Sequence, residues 1–196
     1  MKQKHLALIL LLAALPGLNL FAADAKMFKP EPGYISLFNG HDLTGWGYVT
    51  NNCDGKTDSS DGRYTAKDGL LVVNPHQAER GPRLRQLSTT KQFSGDFILR
   101  LEFRAAVNAD SGIFICGPQL QCRDYLVAGP YKELKKYKPQ DWNEIEVVVK
   151  NHVAYCTCNG EVLEAALKIP ETGPIGLEAD RDQMEYRHLR LKMLPK

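Results

Sequence analysis

From residue 97 the chain reads FILRLEFRAA. Phe97, Leu99, Leu101 and Phe103 fall on one side, and Ile98, Arg100, Glu102 and Arg104 on the other. A period of two predicts a strand with one core face and one charged face. Shorter runs repeat the theme between turn residues. Gly69 to Val73 follows the turn Lys67-Asp68-Gly69, and Gly112 to Gly117 and Leu120 to Val127 read as two further strands. Glu144 to Lys150 and His152 to Cys158 bracket Asn151 as a hairpin, and Asn159-Gly160, a type I′ turn pair, leads into Glu161 to Ala165. Pro174 to Ala179 and Met184 to Leu194 close the series. Only Tyr131 to Lys138 has helical character, and it is brief. About nine or ten strands at regular spacing predict an antiparallel all-β domain. A jelly-roll sandwich of two packed sheets closes a core of this size.

The opening residues follow a different pattern. Lys2 and Lys4 precede the apolar run Leu6 to Leu15, and Ala22-Ala23 supplies small residues. That is the pattern of a secretory signal, residues 1–23, and implies an exported protein, periplasmic or extracellular, without stable membrane insertion once the signal is removed. Residues 24–196 then form a single domain, since no repeat, linker or second long apolar run interrupts them. In this domain LFNGHDLTGW reads as structural. Leu37 and Phe38 start the first strand, Asn39-Gly40 turns the chain, Gly45 bends it and Trp46 anchors it.

With 25 Lys and Arg against 23 Asp and Glu, scattered along the chain, no basic groove for nucleic acid is implied. Export permits disulfides among Cys53, Cys116, Cys122, Cys156 and Cys158. Cys116 and Cys122 are spaced to face one another across a hairpin, Cys156 and Cys158 share a strand face, and the odd count leaves one thiol over. Cys-x-Cys alone does not make a zinc site. The acid-rich stretch Asp54 to Asp61 misses the EF-hand register, so it reads as a polar surface loop.

Phosphate loops, dinucleotide fingerprints, the serine-hydrolase elbow and helical histidine–metal motifs are absent. The chemistry concentrates between residues 100 and 124. If the strands there are neighbours, Arg100, Glu102, Arg104, Gln119 and Gln121 make one polar concave surface. Amides, carboxylates and guanidinium groups of this kind suit sugar hydroxyls. Trp142 opens a strand, either as a stacking platform for a sugar ring or as a core anchor, and Tyr131 is a further substrate-binding candidate. His76, in the long loop Asn74 to Arg85, is an acid–base candidate.

The motifs in order are LFNGHDLTGW, KDGLL, FSGDFILRLEFR, SGIFI, QLQCRD, KPQDWNEIEV, CNGEVL and GPIGLEADRDQMEYRHLRL. Together they resemble, from Tyr34 to Leu194, the family first catalogued as domain of unknown function 1080 and now described as 3-keto-disaccharide hydrolases. The resemblance implies a concanavalin A-like, glucanase-type jelly-roll that cleaves a glycosidic bond after a partner oxidoreductase has placed a ketone at C3. The ketone makes the C2 hydrogen acidic, so one base and one oxyanion stabiliser suffice, in place of two opposed carboxylates. A divalent metal could serve as that stabiliser. By resemblance Glu102 is the base, Arg104 orients the sugar or steadies charge, and Gln121 and Asp124 line the pocket. Gln119 stands where the family usually carries an acid, and His188 where the closing strand usually carries asparagine. The Gln119 departure supports a second reading, a carbohydrate-binding module without catalysis on the same fold.

Overall fold

The computed structural model describes residues 28–74, 85–127, 131 and 133–195. The expected signal segment, residues 1–23, and the loop that carries His76 lie outside them. Sixteen strands and no helix make up the described chain, and the helical stretch expected from Tyr131 is a series of turns. In chain order the longer strands are β4 (Tyr64–Lys67), β5 (Leu70–Val73), β6 (Arg85–Thr89), β8 (Phe97–Ala105), β9 (Asp110–Ile115), β10 (Gln119–Arg123), β11 (Asn143–Lys150), β12 (Val153–Cys158), β13 (Glu161–Lys168), β15 (Ile175–Ala179) and β16 (Met184–Met193). Shorter pieces are β1 (Ile35–Ser36), β2 (Trp46–Tyr48), β3 (Asn51–Asn52), β7 (Phe93–Ser94) and β14 (Thr172–Gly173).

Two antiparallel sheets face each other. The first runs β13-β12-β11-β8-β16-β5-β4, with β1 on β16, and the second runs β10-β9-β15-β6-β2-β3. The expected all-β jelly-roll is the fold. Along β8 the period of two holds throughout: Phe97, Leu99, Leu101, Phe103 and Ala105 are buried against the second sheet, and the residues between them face outward. Asn159 and Gly160 both take positive φ (48° and 80°), as a type I′ turn requires. Leu37 and Phe38 lie just after β1 rather than in it, while Trp46 is fully buried and its indole N–H donates to the Leu37 carbonyl at 2.7 Å.

Two tyrosines bolt the layers together. Tyr64 of the first sheet donates its hydroxyl to the Leu177 carbonyl of the second at 2.7 Å. The Tyr186 hydroxyl lies 2.9 Å from Ser111 Oγ, which donates onward to the Glu178 carbonyl at 2.7 Å. Both links end on β9 and β15, which fixes the height of that strand pair.

The cysteine expectation is corrected. All five cysteines are buried free thiols. Cys122 sits opposite Ser111 across the β9–β10 hairpin, whereas Cys116 occupies its turn with φ 54°, so the two do not face each other.

Candidate functional site

The surface expected from residues 100–121 divides in two. Arg100, Glu102 and Arg104 project from the outer face of the first sheet, and Gln119 and Gln121 from the outer face of the second. β8 and β10 are not neighbours, so these side chains lie on opposite sides of the sandwich.

On the first sheet the charges are mutually occupied. Arg100 holds Glu146 at 2.6 Å, Arg104 holds Glu185 at 2.5 Å, and Arg187 holds Glu102 at 2.7 Å. His188 Nδ1 lies 2.9 Å from the other Glu102 oxygen. A β-bulge puts it there, because β8 advances two residues from Glu102 to Arg100 while β16 advances three, from Arg187 to Arg190. Burial alone would raise the Glu102 carboxyl, but the hydrogen bonds and charges of His188 and Arg187 hold it below the usual range. A carboxylate stabilised this way is a weak base. Trp142 is neither core anchor nor free platform: it is half-buried on this face, with Arg187 3.9 Å and Arg104 4.8 Å from its ring centre.

Two other candidates, Asp124 and Tyr131, are engaged in internal hydrogen bonds. Asp124 is buried at the end of β10, accepting from the Asn108 amide at 3.2 Å, the Tyr137 hydroxyl at 3.2 Å and the Gln140 amide at 3.3 Å. Tyr131 is buried edge-on against Tyr125 and donates to Glu164 at 2.6 Å. Glu102, Gln121 and Asp124 therefore do not meet at one site.

The second sheet gathers a different set. All five residues of β15 are buried, but strand geometry sets Ile175, Leu177 and Ala179 on the inner side and Gly176 and Glu178 on the outer, in register with the half-buried Phe114 and Ser88. Gln119 pairs with Phe114, Phe114 with Gly176, Gly176 with Ser88, Ser88 with Gly47 and Gly47 with Asn52, a continuous row across six strands. Two residues along, Gln121 pairs with Gly112 and Glu178 with Gln86.

Glu178 stands at the centre of this grid. It is only 7% exposed, and Gln119 donates to its carboxylate at 2.7 Å. Gly112 makes that contact possible, because a Cβ there would come within 2.2 Å of the Gln119 amide nitrogen. Burial raises the Glu178 carboxyl above its ordinary value, and the charges of Asp180 and Asp110 raise it further. Asp110, also raised by burial, takes the Gln121 amide at 2.5 Å and lies 3.4 Å from Arg123 and 3.7 Å from Arg181. The sequence reading missed Glu178. Its signal was an acid in the outward phase of an otherwise apolar run, IGLEA.

Carboxylates pushed upward by burial and like charge, on a face lined with amides, are better proton acceptors than free carboxylates. Among the described residues no group of three or more His, Cys, Asp or Glu side chains is placed to hold a metal ion. No described helix is long and apolar enough to cross a membrane.

Comparison with known proteins agrees with the fold. A putative glycosyl hydrolase from Parabacteroides distasonis superposes with a TM-score of 0.64 at 20% identity, over 83% of this chain and 95% of that one. A second putative glycosyl hydrolase from the same organism gives 0.58 at 16% identity, over 82% and 99%. Among curated proteins none matches. Residues 33–192 match the profile of the 3-keto-alpha-glucoside-1,2-lyase-like domain, and with most of its length matched the chain belongs to that family, which supports a carbohydrate-related function.

Proposed function

We propose that the protein cleaves 3-keto-glycosides on the outer face of the second sheet, with Glu178 in place of Glu102 as the base. The observation that carries this is the Glu178 carboxylate, almost fully buried, raised above its ordinary value and in contact with Gln119. Gln119 occupies the position where the family usually has an acid. Glu178 puts a carboxylate back beside that position from the second strand over, so the base is displaced rather than lost.

In the reaction Glu178 takes the C2 proton, and the electron pair moves onto the C3 oxygen as an enolate. The pair returns to form the C1–C2 double bond as the C1–O bond breaks. The departing oxygen takes up the proton that Glu178 now carries. This is an elimination across C1 and C2, which fits the family description of a 1,2-lyase. Water adding to the double bond completes a net hydrolysis. Gln86, the exposed cross-strand partner of Glu178, offers amide hydrogens to the enolate oxygen. An oxidoreductase acting first on the sugar supplies the ketone, since nothing in the proposed step oxidises C3.

The test uses a 3-keto-disaccharide, with the unoxidised sugar as control. Wild-type protein should release monosaccharide or enone from the keto sugar alone. Glu178→Gln should lower kcat/KM by about 10²–10⁴-fold, the usual contribution of a positioned base. Glu102→Gln should leave it close to wild type. Absence of product from the keto sugar, or loss confined to Glu102→Gln, would refute the assignment.

A further inference from the structure

We infer that the sugar released from a 3-keto-disaccharide is bound in the cleft between the β2–β3 hairpin and β6, a subsite built for a neutral ring. The inference rests on the reading that Glu178 attacks C2. That reading fixes where the keto ring lies, and the grid of the second sheet then decides where the rest of the molecule can go.

From Glu178 the outer face continues toward the β2–β3 hairpin. Gly176 lies two residues back along β15, Ser88 beside it and Gly47 beyond. Neither glycine has a side chain to stand in the way. At Gly176 an added Cβ would come to 3.2 Å from Phe114 Cβ and 3.2 Å from Ser88 Oγ, so the floor there is already filled to contact by its neighbours. At Gly47 an added Cβ would fall 2.6 Å from the Asn51 carbonyl oxygen and 2.7 Å from Asn52 Cα. The hairpin backbone therefore curls over the outer face at this point and becomes a wall. The open cleft beside it, about 510 Å³, is lined by the hairpin residues 47–52 together with Ser88, Thr89, Thr90, Gln92 and Pro174.

Strand and residue spacings place this cleft on the order of 12 Å from Glu178, one row along and two strands across. A second sugar ring joined to a ring at Glu178 reaches it. Its lining decides the chemistry. Among the described residues no acid, lysine, arginine or histidine lines the cleft, which offers amides, hydroxyls and backbone beside the apolar Val49 and Pro174. Such groups both donate to and accept from hydroxyls. They cannot neutralise a uronate or a phosphate, and a charge placed there would lose water without gaining a counter-ion. In the other direction from Glu178, past Gln121, the face carries Asp110, Arg123 and Arg181 and is charged. The neutral end of the face is the end for a neutral sugar.

Two keto substrates separate this inference from the reading it rests on. One is a 3-keto-disaccharide, and the other the methyl 3-keto-glucoside, whose leaving group cannot reach the cleft. Ser88→Ala and Gln92→Ala should each raise KM for the disaccharide by on the order of tenfold, the equivalent of one lost hydrogen bond. Neither should alter kcat/KM for the methyl glycoside. A 3-keto-glucoside bearing a uronate leaving group should be cleaved less efficiently than the neutral disaccharide. Equal effects of the variants on both neutral substrates, no effect on either, or a preference for the uronate would overturn the subsite while leaving Glu178 as base. Wild-type protein that cleaves no keto-glycoside would remove the reading, and the subsite with it.

Discussion

A carboxylate that takes a proton from carbon works best when its own affinity for the proton is raised, and burial raises it at a cost in stability. Glu178 meets both halves of that statement. Its folded-state pKa lies above the ordinary 4.5, so the native protein binds the proton more tightly than the unfolded chain does. The stability this provides is present below about 4.5 and is lost as pH rises through the folded value. Glu178→Gln removes the buried charge. We expect this variant to unfold at higher urea than wild type at neutral pH, with the difference vanishing in acid. Equal midpoints at both pH values would mean that Glu178 carries no such cost. Gln119 supplies a second test. Gln119→Glu sets two carboxylates in contact, and like charges that close share a proton to higher pH. The acidic limb of kcat/KM should move upward in pH. A limb that stays in place would show that Glu178 is not the titrating base. Glu178 was hard to read in the sequence because its strand is short and mostly apolar. Glu102 drew attention because its strand is long and alternates cleanly, and that alternation specifies a charged face without specifying what the face does.

Among elements, β16 shows how one face is held in order. The bulge between Arg187 and Arg190 leaves His188 at φ 54°, a left-handed conformation uncommon outside glycine and asparagine, and turns its ring toward Glu102. Phe28 stacks on the far side at 4.2 Å. Asparagine tolerates the same conformation, so His188→Asn should change stability by less than about 1 kcal/mol, whereas His188→Val should cost about 2 kcal/mol through a strained branched side chain. Denaturant unfolding of the pair checks this, and equal costs would show that the bulge does not depend on residue 188. Glu102 itself is lowered below its usual value, so its contribution is present above about 4.5 and is lost as pH falls through the folded value. Glu102→Gln should therefore cost about 1 kcal/mol at neutral pH and nothing in strong acid. The strands of this face were legible because period two is a local signal. That β8 and β10 belong to different sheets was not, since pairing partners separated by a crossover are set by how the two layers close.

For the whole molecule, the buried thiols report how tightly the layers close. Cys122 enters the interior from the second sheet and Cys156 and Cys158 from the first, with Cys53 and Cys116 buried near the ends. Burial raises all five, Cys156 and Cys158 to about 12, so little thiolate forms at neutral pH even where a reagent could enter. Spacing in the sequence suggested disulfides because it carries no information about which side of the hairpin turn a cysteine falls on. Tyr64 and Tyr186 cross between the layers and hold β9 and β15, the strands beneath Glu178. Opening the sandwich enough to expose Cys122 therefore requires those links to break. Native protein should leave all five thiols unlabelled by an aromatic disulfide reagent over minutes, and denatured protein should titrate five. Tyr186→Phe removes one partner of the buried Ser111 hydroxyl, a loss of about 1–2 kcal/mol. Labelling of Cys122 should then accelerate by on the order of tenfold, in step with the loss of global stability. Acceleration without a change in the urea midpoint would place the opening in a local fluctuation of the hairpin. The hydroxyl link would then hold that hairpin alone, and the two sheets would be kept together by their apolar core.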